Sequence, residues 1–340
     1  MPSLKAIRKR ISSVQSTQKI TRAMKMVAGA RLNKAQQRIT ELRPYAVKTQ
    51  RVLSGIASEP APVDLADEAP EAAPPARAAT EPALSASTPE VELEIGGEKA
   101  MLPSGRKNPL DLLATRPERR VLLLVVTSDR GLCGAFNANI NKRAEREWHA
   151  RTEAGQSVQL DVVGRKGKDY LTRRSAPIRE YHAGVWDKLR LETAQLVGAK
   201  VLEPFYAAEV DAIYLVYNEF KSAMSQAVTV ERLLPIPPKA KPTEGEANEP
   251  AGLAEELIFE PHKDALLKRL LPMYVDVSIL RALYESQAGE LGARMTAMDA
   301  ATKNAKEMIG SLTLQYNKAR QAAITKELME IIGGSEALKE

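Results

Sequence analysis

Two long heptad repeats, one at each end of the 340-residue chain, constrain its fold more than any other feature. Alternate steps of three and four from Leu4 reach sixteen positions up to Ile56, and twelve of these are apolar. Apolar residues at that spacing form the seam of a coiled coil. A continuous helix here would be roughly 80 Å long at 1.5 Å per residue. Pro44 lies inside it, so we expect a kink or a locally unwound turn at that point.

The second repeat runs from Leu280 to Met329, where the same steps give fifteen positions, eleven of them apolar. Because the repeats lie at opposite ends of the chain, the simplest arrangement is an antiparallel coiled coil with a domain inserted between its helices. Alanine recurs in the second seam, so the helices can approach closely and form a slim shaft. We expect the N-terminal helix to span 1–57 and the C-terminal helix to span 262–334, followed by a tail at 335–340.

The middle of the chain alternates strand and helix patterns. The run RVLLLVVTS at 120–128 is almost entirely apolar and rich in valine, which is typical of a strand buried on both faces. Further strands are predicted at 158–164, 176–183, 210–220 and 225–235, and helices near 135–154, 166–173 and 191–209. This alternation predicts a three-layer α/β/α, Rossmann-like domain of about five strands over 119–236.

Two segments have the composition of loops. The insert at 58–118 begins with 33 residues that contain seven prolines, ten alanines and a net charge of −6, too little apolar surface to offset the entropy of ordering. The stretch 91–102 alternates apolar and polar residues around two glycines and is compatible with a small hairpin. We expect the rest of this insert to be a mobile acidic arm that acts as a brake or an assembly tether. The second segment, 237–261, is predicted to be a loop or foot from its proline and glycine content.

The positive charge of the chain belongs to one element. Residues 1–56 hold thirteen Lys or Arg and one Glu, whereas the whole chain has a net charge of +6. The single cysteine, Cys133, rules out an internal disulfide and fits a reducing compartment. No stretch approaches 18 uninterrupted apolar residues, so no membrane-spanning helix is expected.

Sequence motifs for catalysis or cofactor binding are weak. The loop SDRGLCG at 128–134 and the loop GRKGK at 164–168 match neither GxGxxG nor GxxxxGK[ST], so we expect no phosphate cradle and no cofactor. The three histidines, His149, His182 and His262, lie far apart, and none has a ligand partner three or four residues away, so no metal site is expected. We therefore predict a chain that is not itself an enzyme.

Residues next to the seams indicate a protein partner. Lys25 occupies a seam position, while Ile20, Met24 and Val27 lie beside the seam, where a lone two-helix coil would expose them. One interpretation is a broader core stripe packed against the inserted domain. The other is that a second protein encloses the shaft. The segment 316–334 mixes polar residues with apolar neighbours in the same way.

Three segments resemble the gamma subunit family of F-type ATP synthase. They are SLKAIRKRISSVQSTQKITRAMKMVAGARL near the N-terminus, TSDRGLCGAFNANI in the middle and YNKARQAAITKELMEIIGG near the C-terminus, in the order found in that family. The resemblance implies a rotor: a coiled-coil shaft inside a hexamer of alternating alpha and beta subunits, with its α/β domain on the epsilon subunit and the membrane-embedded c-ring. It also implies that the chain transmits torque between proton-driven ring rotation and ATP synthesis or hydrolysis at the beta subunits, and that it regulates ATPase activity and proton flow.

The resemblance also assigns contact residues. It implies contacts with the alpha/beta hexamer for Arg22, Met24, Lys25, Arg320, Gln321 and Thr325, and contacts with the c-ring for Phe259 and Glu260. A start at Met1 without a presequence suggests a bacterial chain, peripheral on the cytoplasmic face of the inner membrane.

Charge alone leaves other classes open. Thirteen cations on one helix could neutralise nucleic-acid phosphates, but they surround the seam and no aromatic stacking platform accompanies them. A membrane-surface helix would need a wider apolar stripe with Trp or Phe. An organelle transit peptide would not need a heptad register of fifty residues. We therefore expect no nucleic-acid partner and no direct membrane insertion.

Overall fold

Two long helices form the shaft of the molecule. The computed structural model describes residues 3–58, 93–95, 98–100, 108–236 and 263–337. Helix α1 (Leu4–Ser58) and helix α5 (Lys263–Ala337) contain 55 and 75 residues, so α5 is about 110 Å long at 1.5 Å per residue. They pack side by side and antiparallel, because Lys25 meets Asp299 whereas Arg43 meets Glu285. The predicted antiparallel coiled coil is confirmed.

The seam of α1 follows the predicted heptad register. Each predicted position from Leu4 to Leu53 is buried or half-buried. The fully buried members are Ile7, Thr21, Ala28, Leu32, Ala35, Ile39, Ala46 and Leu53. The helix continues without a break through Pro44, so the locally unwound turn expected there is wrong. A proline removes only one backbone donor, and the seam contacts on both sides of it hold the helix in place.

The predicted seam of α5 is correct at one heptad position throughout and at the other only as far as Ala301. Every seventh residue from Leu291 to Ala319 is buried or half-buried, as predicted. At the alternate position, the predicted residues from Leu280 to Ala301 are also buried or half-buried. From there on, the buried position lies one residue later than predicted, because Met308 is 51% exposed whereas Ile309 is half-buried. Both residues are apolar, so the spacing alone could not choose between steps of three and four.

The same correction applies towards the end of α5. Gln315 and Ala322 are exposed, and the half-buried residues are their neighbours Tyr316 and Ala323. Lys326 and Met329 were also predicted to lie in the seam, and both are exposed. At that point α1 has already ended, so there is no facing helix to bury them.

A five-stranded sheet lies beside the lower half of the shaft. Its strands are β3 (Arg120–Val126), β4 (Ser157–Val163), β5 (Ile178–His182), β6 (Ala212–Phe220) and β7 (Gln226–Leu234). Their spatial order is β5-β4-β3-β6-β7, and all neighbours are parallel except β6 and β7. The connecting helices are α2 (Phe136–Glu153), α3 (Arg165–Thr172) and α4 (Leu191–Tyr206). All five strands and three helices were predicted from the sequence.

The sheet has helices on both faces, which confirms the three-layer architecture. In β3, Leu122 and Leu124 point into a core shared with α4 and α5, whereas Val121 and Leu123 point into the core of the opposite face, which includes residues of α2. Alternation along a strand places successive side chains on opposite faces. Helix α5 is therefore half of a coiled coil and also a layer of the α/β domain.

Part of the predicted insert belongs to this core. A short 3-10 helix, Pro109–Leu113, carries Leu112, which is fully buried in the same cluster as Leu53 of α1. Strands β1 (Leu93–Ile95) and β2 (Glu98–Ala100) pair antiparallel, as expected for the small hairpin. The rest of the acidic arm lies outside the described residues, as do the 237–261 loop and the two predicted c-ring contacts within it, Phe259 and Glu260.

Candidate partner-binding shaft

A polar layer joins the two helices in the upper half of the shaft. The Oγ1 atoms of Thr21 and Thr302 are 2.8 Å apart across the seam, within hydrogen-bond distance. Four residues further along α1, Lys25 Nζ donates to Asp299 Oδ1 at 2.5 Å. The hydrogen bonds from Lys25, and then from Lys303, hold the pKa of Asp299 below its usual value. Lys25, a predicted contact residue, is therefore already paired within the chain.

The predicted contact residues of α1 are accessible to different degrees. Arg22 is exposed, whereas Met24 and Lys25 are half-buried. Ile20 and Val27 are 60% and 53% exposed, so the broader core stripe against the inserted domain is wrong for these two positions. Met26, which the sequence analysis did not single out, is also exposed. This stretch of α1 therefore presents apolar side chains to solvent.

The end of α5 extends past the start of α1. The register set by Thr21 and Thr302 places Leu4 opposite about residue 319, so the helix continues alone for about 25 Å. Three predicted contact residues, Arg320, Gln321 and Thr325, lie on this single helix and are exposed. We call the segment 320–337 the tip.

Large apolar side chains are exposed along the tip. They are Ile324, Leu328, Met329, Ile331 and Ile332, each between 49% and 70% exposed. Only Met329 among them was in the predicted seam. A large exposed apolar surface on a folded chain marks a protein interaction site.

The lower half of the shaft is anchored by buried charges. Arg43 Nη2 of α1 lies 3.1 Å from Glu285 Oε1 of α5 and also donates to the carbonyl oxygen of Phe220 at the end of β6. Glu285 is almost completely buried, and burial raises its pKa although Arg43 opposes the shift. One helical turn earlier on α5, Arg281 pairs with Glu231 of β7. The first contact fixes the shaft to the carboxyl end of β6, and the second fixes α5 to the middle of β7, where Glu231 lies opposite Leu215.

A further buried carboxylate lies where α4 packs on α5. Asp276 is half-buried, and burial raises its pKa to about 6. Its carboxylate approaches the backbone of α4 so closely that a Cβ atom on Gly198 would lie 2.7 Å from Oδ1. The contact depends on the absence of a side chain at that glycine.

One cluster has the residue types of a metal site but is already charge-compensated. The ligand atoms of Asp161, Glu180 and His182 lie within 4.8 Å of one another. The guanidinium of Arg179 binds both oxygens of Asp161, and Lys200 Nζ lies 2.5 Å from Glu180 Oε1. Two cations against two carboxylates leave little attraction for a metal ion, so this cluster is explained as structural. In the part of the chain that the structure describes, no helix has an apolar stretch long enough to cross a bilayer.

Comparison with known proteins agrees with this architecture. A family model described as ATP synthase matches residues 3–338. The ATP synthase gamma chain of Sorangium cellulosum is 67% identical, and that of Geobacter sp. (strain M21) is 43% identical, each over the full length of both chains. The rotor of Euglena gracilis mitochondrial ATP synthase shares the fold with a TM-score of 0.57 at 18% identity, covering 94% of this chain and 98% of that one.

These observations define a stalk protein, in which an antiparallel coiled coil is built onto an α/β base that shares one of its helices. A Tetrahymena thermophila central stalk has the same fold, with a TM-score of 0.51 at 21% identity over 83% of this chain. The chain belongs to the ATP synthase gamma chain family.

Proposed function

We propose that the chain is the non-catalytic axle of an F-type ATP synthase, peripheral on the cytoplasmic face of a bacterial inner membrane. Alternating alpha and beta subunits would enclose the upper shaft and the tip, and the epsilon subunit and the c-ring would bind below. Proton flow would turn the ring and shaft, and the shaft would transmit this torque to the beta subunits, where ATP is synthesised or hydrolysed. It would also regulate ATPase activity and proton flow. The relatives named ATP synthase gamma chain support this assignment, as does the fold shared with the Tetrahymena thermophila central stalk and c-ring structure.

The observation that carries the proposal is the tip, a single helix with exposed apolar side chains beyond the end of its partner helix. Five large apolar residues exposed to water are costly unless another protein covers them, at roughly 25 cal/mol for each Å² of apolar surface. Arg320, Gln321 and Thr325 lie on the same stretch and would contact the hexamer. On α1, Arg22, Met24 and Lys25 would contact it at the level of exposed Ile20 and Val27. Phe259 and Glu260 would contact the c-ring.

The charge of α1 suits an axle that must turn. Its net charge of +12 would attract acidic loops of a surrounding ring during assembly. Each exposed ion pair contributes only about 0–1 kcal/mol, so individual contacts break easily. Charge would therefore guide the shaft into the ring without fixing it at one angle.

Photo-crosslinking in the assembled complex tests where the partners lie. A benzophenone amino acid placed singly at Arg22, Arg320 and Thr325 is expected to crosslink to alpha or beta subunits. The same group at Arg146, exposed on α2 of the α/β domain, serves as the matched control and is expected to capture neither. The proposal would be contradicted if position 146 crosslinked to alpha or beta subunits while none of the three shaft positions did.

Rotation can be tested because the single cysteine is inaccessible. Cys133 is 2% exposed, so a cysteine introduced as Arg146→Cys becomes the labelling site for a bead. With the hexamer fixed to a surface, ATP is expected to turn the bead in one direction. ATP hydrolysis at a normal rate with a stationary bead would refute the axle role.

A further inference from the structure

A cleft opens where the shaft meets the carboxyl edge of the sheet. It has a volume of about 310 Å³, at the lower end of the size of small-molecule sites. Its walls are one face of α1, one face of α5, the loop 128–130 after β3 and the loop 186–187 after β5. It is separate from the exposed surfaces of the upper shaft and the tip.

The topology of the sheet places this cleft at a distinctive point. From β3 the chain moves to β4 and β5 on one side, and then returns to place β6 on the other side of β3. The strand order therefore reverses direction at β3, and the loop that follows β3 lines the cleft. In open α/β sheets, ligands bind outside the carboxyl ends of the strands at such a switch point.

The charge of the cleft favours an anion. Five cationic residues line it, against three carboxylates, Asp129, Asp187 and Glu290. The cationic residues are Arg31, Lys34, Arg38, Arg130 and Arg294. Two of the carboxylates are already engaged, since Glu290 accepts from Arg294 and Asp129 accepts from the backbone N–H of Arg165.

Among the residues that the structure describes, the side chains of Arg31, Lys34 and Arg130 make neither a hydrogen bond nor an ion pair. They come from two separate parts of the chain, α1 and the loop after β3, and line one cavity. A phosphate group offers several acceptor oxygens at once, and arginine binds it with paired hydrogen bonds.

We propose that this cleft binds a phosphate-bearing anion, either inorganic pyrophosphate or the phosphate chain of a nucleotide. The ligand would connect α1 to the loop after β3 and so add a link between shaft and domain. This site does not depend on the axle role, because no torque is needed for the anion to bind.

Trp186 lines the cleft and provides a direct reporter. Its Nε1 donates to the carbonyl oxygen of Thr127 at 3.0 Å, at the base of the loop after β3. The chain has two tryptophans, so a Trp148→Phe variant leaves Trp186 alone. Titration of this full-length variant with pyrophosphate and with ATP is expected to give a saturable fluorescence change and a higher melting temperature. A response to both identifies the phosphate chain as the ligand group, and a response to ATP alone identifies a nucleotide.

Two double variants of equal charge distinguish binding at the cleft from nonspecific electrostatic attraction. Lys34→Ala with Arg130→Ala is expected to weaken binding at least about tenfold, since a hydrogen bond to a charged group contributes about 1.5–3 kcal/mol. Lys48→Ala with Arg173→Ala removes the same charge from exposed positions outside the cleft and is expected to leave the affinity unchanged. Melting curves check that each variant is folded. If the Lys34→Ala, Arg130→Ala double variant does not fold, the single variant Arg130→Ala takes its place.

Three results would overturn the proposal. One is the absence of a saturable response to either ligand, and another is equal weakening by the two double variants. The third is a response from Trp186 only to an acidic peptide of equal charge, which would show that the cleft recognises a protein segment.

Discussion

Thr21 of α1 and Thr302 of α5 lie with their hydroxyl oxygens 2.8 Å apart, although 281 residues separate them in the chain. Each hydroxyl also lies within hydrogen-bond distance of a carbonyl oxygen of its own helix, that of Gln18 for Thr21 and that of Met298 for Thr302. A matched polar pair in a coiled-coil seam favours one register, because a shift of one helix along the other would separate the two hydroxyls.

The first prediction concerns the coupling between these two threonines. Thr21→Val, Thr302→Val and the double variant form a cycle in which the side-chain shape is nearly unchanged. We expect a coupling of about 0.5–1.5 kcal/mol in the free energy of unfolding, measured by urea denaturation. Thr17→Val is the control, because Thr17 is exposed and bonds only within its own helix turn. Additive losses from the two single substitutions would show that the pair does not fix the register.

The second prediction concerns the anchor between Arg43 and Glu285. Arg43→Met leaves a buried carboxylate without its cation and is expected to cost about 2 kcal/mol, less than for a fully buried pair because Arg43 is half-exposed. Adding Glu285→Met should restore most of that stability. The loss should be larger at pH 8 than at pH 5, since burial raises the pKa of Glu285 and protonation relieves the unpaired charge. Lys48→Met, on the same helix, is the control. A double variant less stable than Arg43→Met would contradict this account.

The third prediction concerns the pH dependence due to Asp276. Its pKa is about 6 in the folded chain and 3.8 in its ordinary state, so the folded state binds more protons between these values. Stability should therefore fall as pH rises from about 4 to about 6. Asp276→Asn keeps the shape without the charge, so it should be more stable than the unsubstituted chain by about 2–3 kcal/mol at pH 7. The difference should vanish near pH 4.

Thermal melts across this pH range measure the effect. Asp169→Asn changes a half-exposed aspartate of α3, whose side chain is 42% exposed, and is the matched control. A constant difference between Asp276→Asn and the unsubstituted chain at all pH values would rule out titration of Asp276 as its cause.

The fourth prediction compares two leucines two residues apart on α5. Leu312 is 7% exposed and lies in the seam, whereas Leu314 is 73% exposed. Leu312→Ala should cost about 2–4 kcal/mol and speed hydrogen exchange in the upper shaft. Leu314→Ala should change the stability of the isolated chain by less than about 0.5 kcal/mol. Equal effects would mean that the two helices do not pair at this height.

The sequence alone determined the elements and most of what they bury. Heptad spacing is a local property of a helix, so it identified the α1 seam from Leu4 to Leu53 without any knowledge of the partner. Apolar runs and turn residues likewise located all five strands of the sheet. Seam spacing singled out Met24 and Lys25, and resemblance to a family added the other predicted contact residues.

Only the tertiary structure decided how those elements combine. Lys25 meets Asp299 across 274 residues, a contact that depends on the relative register of two helices and not on either sequence pattern alone. The same register decides that Ile309 and not Met308 lies in the seam, and how far α5 extends beyond α1. Tertiary packing also gives α5 its second role, as a layer of the domain. The cleft between the shaft and the sheet also depends on tertiary structure, because side chains from four separate parts of the chain line it. Local patterns specify which face of an element is apolar, but only packing specifies which surface that face meets.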